Sequence, residues 1–334
     1  MRCTLFLSLF ILSYISSEAQ YKYASVERSY NIEVKLEEDS LVNFDYRVDF
    51  HETDTTAHAV YETSSLDTFL FLLSTDIEKV PDDKRNLLFY IHGFMGGQSM
   101  NLRFTKYDLI EKYILPESSD ISRLISIRWP GNMPVYKTSK ANSLKVAPAV
   151  SKQLVQLMNE LQSKTEGGAI KYDILNHSLG CEFFKEVVQH FPDEPVQYFD
   201  QILLCAPDLD IDVFSRNGSL CDLQKYCNRT TVYFSNKDLT LGFSRELNKK
   251  GRLGLDGPHL ETQFHDKLVF VEMSHVMDEK LLPMRLTGHS YYRGSTVAGN
   301  DILQTLIGLP ADQIEARKKS EQGPQFFKLF SEEQ

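Results

Sequence analysis

Positive charge does not predominate in this 334-residue sequence, which has 36 lysine and arginine residues against 46 aspartate and glutamate residues. The basic residues form no cluster on a periodic segment. A protein that binds nucleic acid needs a basic surface to neutralise the phosphates. The sequence therefore argues against DNA or RNA as a partner.

Metal-ligand patterns are missing as well. The five cysteines include no C-x-x-C pair, and the histidines form no pair at ligand spacing. Zinc sites in proteins are usually built from such pairs. We expect neither a metal nor an organic cofactor. Cys221 and Cys227 flank a short polar loop and are candidates for a disulfide, whereas we expect buried free thiols at Cys181 and Cys205.

The apolar stretch at the start of the chain is too short to cross a membrane. Residues 1–19 contain one basic residue, Arg2, then an apolar run, then the small-x-small sequence Ser17-Glu18-Ala19. A membrane span needs about 20 apolar residues, whereas this order is typical of a secretory signal peptide. We predict an exported protein, periplasmic or extracellular, without a transmembrane segment. The oligomeric state does not follow from the sequence.

Short apolar runs alternate with amphipathic segments after residue 84. The predicted strands cover 86–91, 123–129, 170–175, 201–206, 230–235 and 267–273. The predicted helices cover roughly 99–115, 140–163, 179–191 and 299–308. Near-continuous apolar strands separated by helices are typical of a mostly parallel sheet covered on both faces. The fold class predicted is a doubly wound α/β sheet.

The remaining residues divide into an extension before this domain and a tail after it. In residues 20–85, alternating segments predict an antiparallel hairpin between residues 30 and 50, followed by a helix that begins after Ser64 or Ser65. The α/β domain covers residues 86–310. Residues 311–334 are mostly charged and polar, so we expect a loosely attached end.

The segment KYDILNHSLGCEFF, residues 171–184, approximates the nucleophile elbow G-x-S-x-G but lacks its first glycine. Asn176 stands at that position, with Ser178 as the serine and Gly180 as the second glycine. A strand, a sharp turn and a helix in this order expose a serine hydroxyl above the sheet. We predict that Ser178 is a nucleophile; the alternative is an ordinary serine in a strand-to-helix turn.

A glycine-rich loop, IHGFMGG, follows the first strand of the α/β domain at residues 91–97. Glycines let backbone N–H groups approach a ligand closely, as an oxyanion hole requires. Together with the elbow, this loop predicts that the N–H groups of Phe94 and Leu179 form such a hole.

A serine nucleophile also needs an acid and a histidine base, which follow it in that order in this kind of fold. Asp208 and Asp238 follow successive predicted strands, and the usual layout favours Asp238 as the acid. His275 comes directly after the last predicted strand, and His289 lies in the loop that leads to the last helix. Spacing alone leaves the choice between these two histidines open.

Seven ordered segments resemble the widespread, uncharacterised esterase/lipase-like family of α/β-hydrolases: YIHGFMGG, IRWPGN, NHSLGCEFF, LCAPDLDIDVF, YFSNKDLTLGFSRELN, GRLGLDGP and GHSYY. The resemblance covers roughly residues 86–309. By position, it implies Ser178 as nucleophile, Asp238 as acid and His289 as base, ahead of His275. The main departure from the family pattern is Asn176.

The resemblance implies an α/β-hydrolase fold and a catalytic domain at residues 86–310. We expect a serine hydrolase that acts on a carboxylic-ester or related acyl bond of a small-molecule or lipid substrate. The alternative is a non-catalytic binding or scaffold protein on the same fold, because a fold does not determine a function.

Overall fold

A single mixed sheet organises the computed structural model, which describes residues 27–37, 41–51, 58–63, 65–94, 121–131, 135–259, 264–276 and 287–330. Its strands are β1 (Glu27–Leu36), β2 (Val42–His51), β3 (His58–Thr63), β4 (Asn86–Ile91), β5 (Ile121–Arg128), β6 (Lys171–His177), β7 (Phe199–Cys205), β8 (Cys227–Phe234), β9 (Leu268–His275), β10 (Arg317–Lys319) and β11 (Phe326–Phe330). Their order is β10-β11-β9-β8-β7-β6-β4-β5-β1-β2-β3. The pairs are parallel from β1 through β5, β4, β6, β7, β8 and β9 to β11.

Helices cover both faces of this sheet. They are α1 (Leu66–Glu78), α2 (Tyr136–Lys164), α3 (Leu179–Val188), α4 (Leu239–Asn248), α5 (Leu253–Asp256), α6 (Tyr291–Gly294) and α7 (Thr296–Leu306). Strand β4 is buried along its whole length. Its side chains alternate between two hydrophobic cores. Phe89 lies in the core that contains side chains of α1, α2 and α3, and Tyr90 lies in the core that contains side chains of α4, α6 and α7. This two-sided burial explains why the strand consists almost entirely of apolar residues.

The predicted fold class, a mostly parallel doubly wound sheet with an N-terminal antiparallel hairpin, is confirmed. The six strands predicted after residue 84 lie within three residues of β4 to β9 at each end. Ser65 caps α1 by accepting a hydrogen bond from Thr68 N at 3.2 Å. The predicted helix at 99–115 and the signal peptide at 1–19 lie outside the described residues.

The hairpin is a continuous part of the main sheet. Strand β1 pairs antiparallel with β2 and parallel with β5, so residues 27–51 extend the sheet of the α/β domain. Tyr30, Ile32 and Val34 point from β1 into the core that α1 covers. The sequence did not predict β3, which pairs with β2.

The prediction of a loosely attached C-terminal end is wrong. Strand β11 pairs in parallel with β9, and Phe326, Phe327 and Leu329 are buried. Arg317 in β10 forms an ion pair with Asp301 of α7, with 2.7 Å between Nε and Oδ2 and both side chains fully buried. Apolar side chains buried on both faces of β11, together with the buried ion pair of Arg317, attach this segment to the sheet despite its polar composition.

The cysteines at 181, 205, 221 and 227 are all free thiols in the described chain. Cys181 and Cys205 are buried, as predicted. Cys227 is not bonded to Cys221; its Sγ lies 3.3 Å from Thr230 Oγ1. Among the helices that the structure describes, none combines the length and the apolar character that a membrane crossing requires.

Candidate active site

The turn between β6 and α3 has the backbone geometry of a nucleophile elbow. Ser178 adopts φ 55° and ψ −123°, a conformation that residues with a side chain rarely occupy. Hydrogen bonds from the neighbouring strand end fix this conformation: Ser178 N donates to Cys205 O at 3.0 Å, and Asp208 N donates to Ser178 O at 3.2 Å. The serine is 6% exposed, at the carboxyl edge of the parallel sheet.

Two glycines allow this turn to lie against the end of β4. A Cβ on Gly180 would lie 2.5 Å from His92 O, and a Cβ on Gly93 would lie 2.9 Å from Ser178 Cβ. Any side chain at either position would push the glycine-rich loop away from the elbow. The glycine requirement therefore comes from close packing of the two segments that meet at Ser178.

Asn176, at the position of the missing glycine, is accommodated inside the sheet. It pairs in continuous register with Ile91 of β4 and Leu204 of β7, and it is fully buried. Its side-chain Nδ2 lies 3.4 Å from Leu203 O, and its own carbonyl accepts a hydrogen bond from Cys181 Sγ at 3.3 Å. The larger residue thus sits beside the elbow without interrupting the strand that carries it.

Asp238 and His289, which are 51 residues apart in the chain, are joined by a hydrogen bond of 2.6 Å between Oδ2 and Nδ1. The carboxylate is fully buried. Its other oxygen, Oδ1, caps α4 by accepting from Leu241 N at 2.9 Å. A helix N-terminus favours a negative charge. Asp238 is therefore held by a helix cap on one side and by the imidazole on the other.

The loop that carries His289 is docked onto the start of α4. Leu239 N donates to Thr287 O at 2.8 Å. Gly288 has φ 67°, and a Cβ on it would lie 2.5 Å from Lys237 O. This close approach permits only glycine, which explains the residue before the histidine in the GHSYY segment.

The same histidine lies beside the elbow. The rings of His289 and His177 have centroids 4.9 Å apart, and His177 directly precedes Ser178. Burial, with the nearby charges of His289 and Arg293, holds the pKa of His177 well below its usual value. His177 is therefore a neutral neighbour of His289. The packing brings Ser178, His289 and Asp238 to the same corner of the sheet edge.

Within this arrangement, Nδ1 of His289 is occupied by Asp238, so Nε2 is the nitrogen available for proton transfer. The described hydrogen bonds include none between Nε2 and the Ser178 hydroxyl. In hydrolases without a bound ligand, such catalytic hydrogen bonds are often long and tighten when substrate binds.

The two alternative residues lie elsewhere. His275 ends β9, is exposed, and stacks on Phe330 with ring centroids 4.8 Å apart. Strand β9 is three positions from β6 in the sheet, which amounts to about 14 Å at the usual strand spacing. The carboxylate of Asp208 is bound by other side chains and does not contact His289.

The expected oxyanion donors, Leu179 and Phe94, belong to the two segments that pack together at Ser178. Leu179 is the first residue of α3, so its N–H has no partner within the helix. Phe94 follows Gly93 in the close-packed loop, and its ring packs edge-on against Tyr136 at 6.0 Å between centroids. The remainder of the glycine-rich loop, from residue 95, lies outside the described residues.

A buried polar cluster around Asp208 is the feature of this site that the sequence did not predict. Asp208 accepts hydrogen bonds from Ser244 Oγ at 2.5 Å, Tyr136 OH at 2.9 Å and Arg252 Nη1 at 3.4 Å. Arg252 is fully buried. The only sequence signal is the presence of opposite charges in the APDLD and GRLGLD segments, and no spacing rule pairs them.

Residues 71–308, more than two thirds of the chain, match the family described as "Alpha/beta hydrolase of unknown function (DUF900)". A search of curated proteins finds no match. One solved structure, an acetyl xylan esterase from Paenibacillus sp. R4, is 14% identical, covers 75% of this chain and 86% of that chain, and has a TM-score of 0.28. At that TM-score the similarity decides neither fold nor substrate. The family match, together with the parallel sheet and its elbow, shows that the chain belongs to the DUF900 family of α/β hydrolases.

Proposed function

We propose that this protein is an exported serine hydrolase that cleaves carboxylic-ester or related acyl bonds. The observation that carries the proposal is the 2.6 Å hydrogen bond between the buried Asp238 carboxylate and His289, beside the strained turn at Ser178. Membership of an α/β-hydrolase family supports a hydrolytic reaction. The site residues then have distinct roles in acyl transfer.

In the first half of the reaction, Ser178 Oγ attacks the acyl carbonyl carbon while Nε2 of His289 takes the hydroxyl proton. The carbonyl electron pair moves onto oxygen and forms a tetrahedral intermediate. Its collapse breaks the bond to the leaving group, which departs as an alcohol with the proton from Nε2. An acyl-serine remains. Water then repeats the sequence with His289 as base, releasing the carboxylic acid and free Ser178.

Asp238 orients the histidine for both proton transfers. Its Oδ2 accepts from Nδ1–H, which selects the tautomer with an unprotonated Nε2. The burial of this carboxylate strengthens its attraction to the imidazolium that forms during the reaction. Because the helix cap fixes the second oxygen, the carboxylate keeps one orientation through the cycle.

The backbone N–H groups of Leu179 and Phe94 stabilise the oxyanion. They belong to the start of α3 and to the segment that packs against Ser178 through Gly93. Removal of one such donor typically costs about 3 kcal/mol of transition-state stabilisation. A substitution other than proline leaves a main-chain N–H group in place. A larger residue at Gly93, which would push the segment that carries Phe94 away from Ser178, is therefore a practical way to disturb this donor.

Export is part of the proposal because residues 1–19 have the pattern of a signal peptide. Expression of the full chain in a secreting host tests it by mass spectrometry of the exported fraction. Protein that begins at Gln20, outside the cytoplasm, is the expected result. Uncleaved protein confined to the cytoplasm would contradict export without bearing on the chemistry.

Covalent labelling by a fluorophosphonate probe tests the chemistry. Wild-type protein should label with one equivalent, and Ser178→Ala should not label. His289→Ala should also lose labelling and hydrolysis of p-nitrophenyl esters, whereas the matched control His275→Ala should retain both. Absence of labelling in folded wild-type protein would favour a non-catalytic binding or scaffold protein on this fold.

A further inference from the structure

Three segments that the proposed reaction needs are linked through one buried residue, Asp208. They are the elbow at Ser178, the loop at Phe94 and helix α4, which begins after Asp238. We propose that Asp208 is a positioning residue that holds these three segments in register. The inference rests on the proposed function, and it assigns Asp208 a role other than that of the acid partner of the histidine.

The contact with the elbow is made by the backbone. Asp208 N donates to Ser178 O at 3.2 Å. Ser178 has a positive φ and needs outside support to keep that conformation. Asp208 is 2% exposed, so its position is set by its side-chain partners and not by solvent. The residue whose carboxylate binds these partners is therefore also the residue whose backbone supports the strained turn.

The contact with the oxyanion loop passes through Tyr136. Its hydroxyl donates to Asp208 Oδ2 at 2.9 Å, and its ring packs edge-on against Phe94 at 6.0 Å. Tyr136 is the first residue of α2 and enters the site from that side. The hydrogen bond fixes the ring, and the ring supports the residue whose N–H we assign to the oxyanion hole.

The contact with the acid-bearing helix passes through Ser244. Its Oγ donates to Asp208 Oδ1 at 2.5 Å. Asn248, one turn further along α4, donates to Tyr136 OH at 3.1 Å and contacts Ser244 Oγ at 3.0 Å, so the hydrogen bonds close a ring. Helix α4 is thereby tied to α2 and to the residue behind Ser178.

Arg252 provides the charge that makes a buried carboxylate tolerable here. It is fully buried, 3.4 Å from Asp208 Oδ1, and also contacts Asp210. A buried charge persists in a protein only when it is paired and hydrogen-bonded. Asp210 shares Arg252 but contacts neither Tyr136 nor Ser244 in the described hydrogen bonds. It therefore offers a matched control for the loss of one negative charge beside Arg252.

A residue that links all three segments affects catalysis because the segments come from distant parts of the chain and must be held at fixed relative positions. A misplacement of about 1 Å in a catalytic group can reduce the rate by about 100-fold. Asp208→Asn keeps the backbone N–H and the side-chain shape, but it replaces the negatively charged carboxylate that accepts three hydrogen bonds. In this variant we expect the elbow, the loop at Phe94 and helix α4 to move relative to one another by a fraction of about 1 Å.

The experiment compares Asp208→Asn with Asp210→Asn and wild type by the time course of fluorophosphonate labelling. The rate constant reports positioning in folded molecules, whereas the amplitude reports the folded fraction. We expect Asp208→Asn to label to full amplitude with a rate constant about tenfold lower. Its kcat for p-nitrophenyl acetate should fall by a similar factor with KM little changed. Asp210→Asn should stay within about twofold of wild type.

Tyr136→Phe provides a second, independent test should Asp208→Asn not fold. It keeps the ring against Phe94 but removes the hydroxyl that Asp208 holds, so it should also lower the rate constant at full amplitude. Wild-type rate constants in the folded variants, or a lower amplitude alone, would overturn the positioning role. Equal labelling of wild type and Ser178→Ala, or none in either, would instead overturn the proposed function and this inference with it.

Discussion

The buried carboxylate of Asp173, in β6 five residues before Ser178, should make the stability of the protein depend on pH. The residue is fully buried. Its Oδ2 accepts from Asn86 Nδ2 at 2.7 Å and its Oδ1 from Gln201 N at 2.8 Å. Burial, only partly offset by these hydrogen bonds, raises its pKa from 3.8 to about 8.

The direction of this pH dependence follows from the protonation of Asp173 in the folded and in the unfolded protein. The folded protein retains a proton on Asp173 up to a pH of about 8, whereas the unfolded chain loses it near 3.8. The contribution of Asp173 to the free energy of unfolding is therefore fully present below a pH of 3.8. It falls as the pH rises from 3.8 to about 8, and it does not change further above that pH. The slope is about 1.4 kcal/mol per pH unit, or about 4 kcal/mol between pH 5 and pH 8.

Asp173→Asn should remove this dependence because the amide stays neutral. Its Oδ1 can still accept from Gln201 N. Its Nδ2 can donate to Asn86 Oδ1, a buried atom without a partner among the described hydrogen bonds, once the Asn86 amide rotates. The variant should therefore gain stability relative to wild type as the pH rises, while the other titrating groups cancel in the comparison.

Urea unfolding of both proteins at pH 5, 6, 7 and 8 measures the difference in free energy of unfolding at each pH. The difference should move in favour of Asp173→Asn by about 4 kcal/mol across the series. A difference that does not change with pH, or one that moves in favour of wild type, would refute the assignment of a buried, protonated Asp173.

The remaining predictions concern the site and the C-terminal strands. Asp238→Asn should retain the fold but lower kcat for ester hydrolysis by about 10³ to 10⁴-fold, because the amide favours the wrong histidine tautomer; a kcat within tenfold of wild type would contradict this. Gly288→Ala should lower kcat by at least about tenfold, because its Cβ would meet Lys237 O at 2.5 Å and displace the His289 loop. The control Gly242→Ala, with nothing within 4 Å of the added Cβ, should keep the activity and gain about 0.5–1 kcal/mol in urea unfolding. Arg317→Met should cost about 3–5 kcal/mol in urea unfolding by leaving the buried Asp301 carboxylate without its ion pair; a cost below about 1 kcal/mol would count against a fastened C-terminal segment.

The elements nearest to Ser178 could be predicted because their signals are local. Strand β4 has the predicted bounds since all six of its residues, Asn86–Ile91, are buried on both faces. Helix α3 begins at Leu179, directly after Ser178, because strand, turn and helix follow one another within a few residues. The C-terminal strands gave no comparable signal. The pairing of β11 with β9 depends on Phe326 and Phe327 reaching Phe270 and Val271, which lie far earlier in the chain, and β10 joins the sheet only through β11.

By itself, the sequence determined the α/β class, the strand-to-helix turn at Ser178 and the sets of candidate acids and histidines. Spacing alone left the choice between His289 and His275 open, and the family resemblance favoured His289; the tertiary structure shows what each of the two side chains contacts. The loop of His289 docks on α4 through Thr287 and Gly288 and meets Asp238, whereas His275 stays in β9 against Phe330. The cluster around Asp208 was decided by the tertiary structure alone. Contacts between residues many tens of positions apart depend on the order of strands in the sheet, which no local pattern of residues encodes.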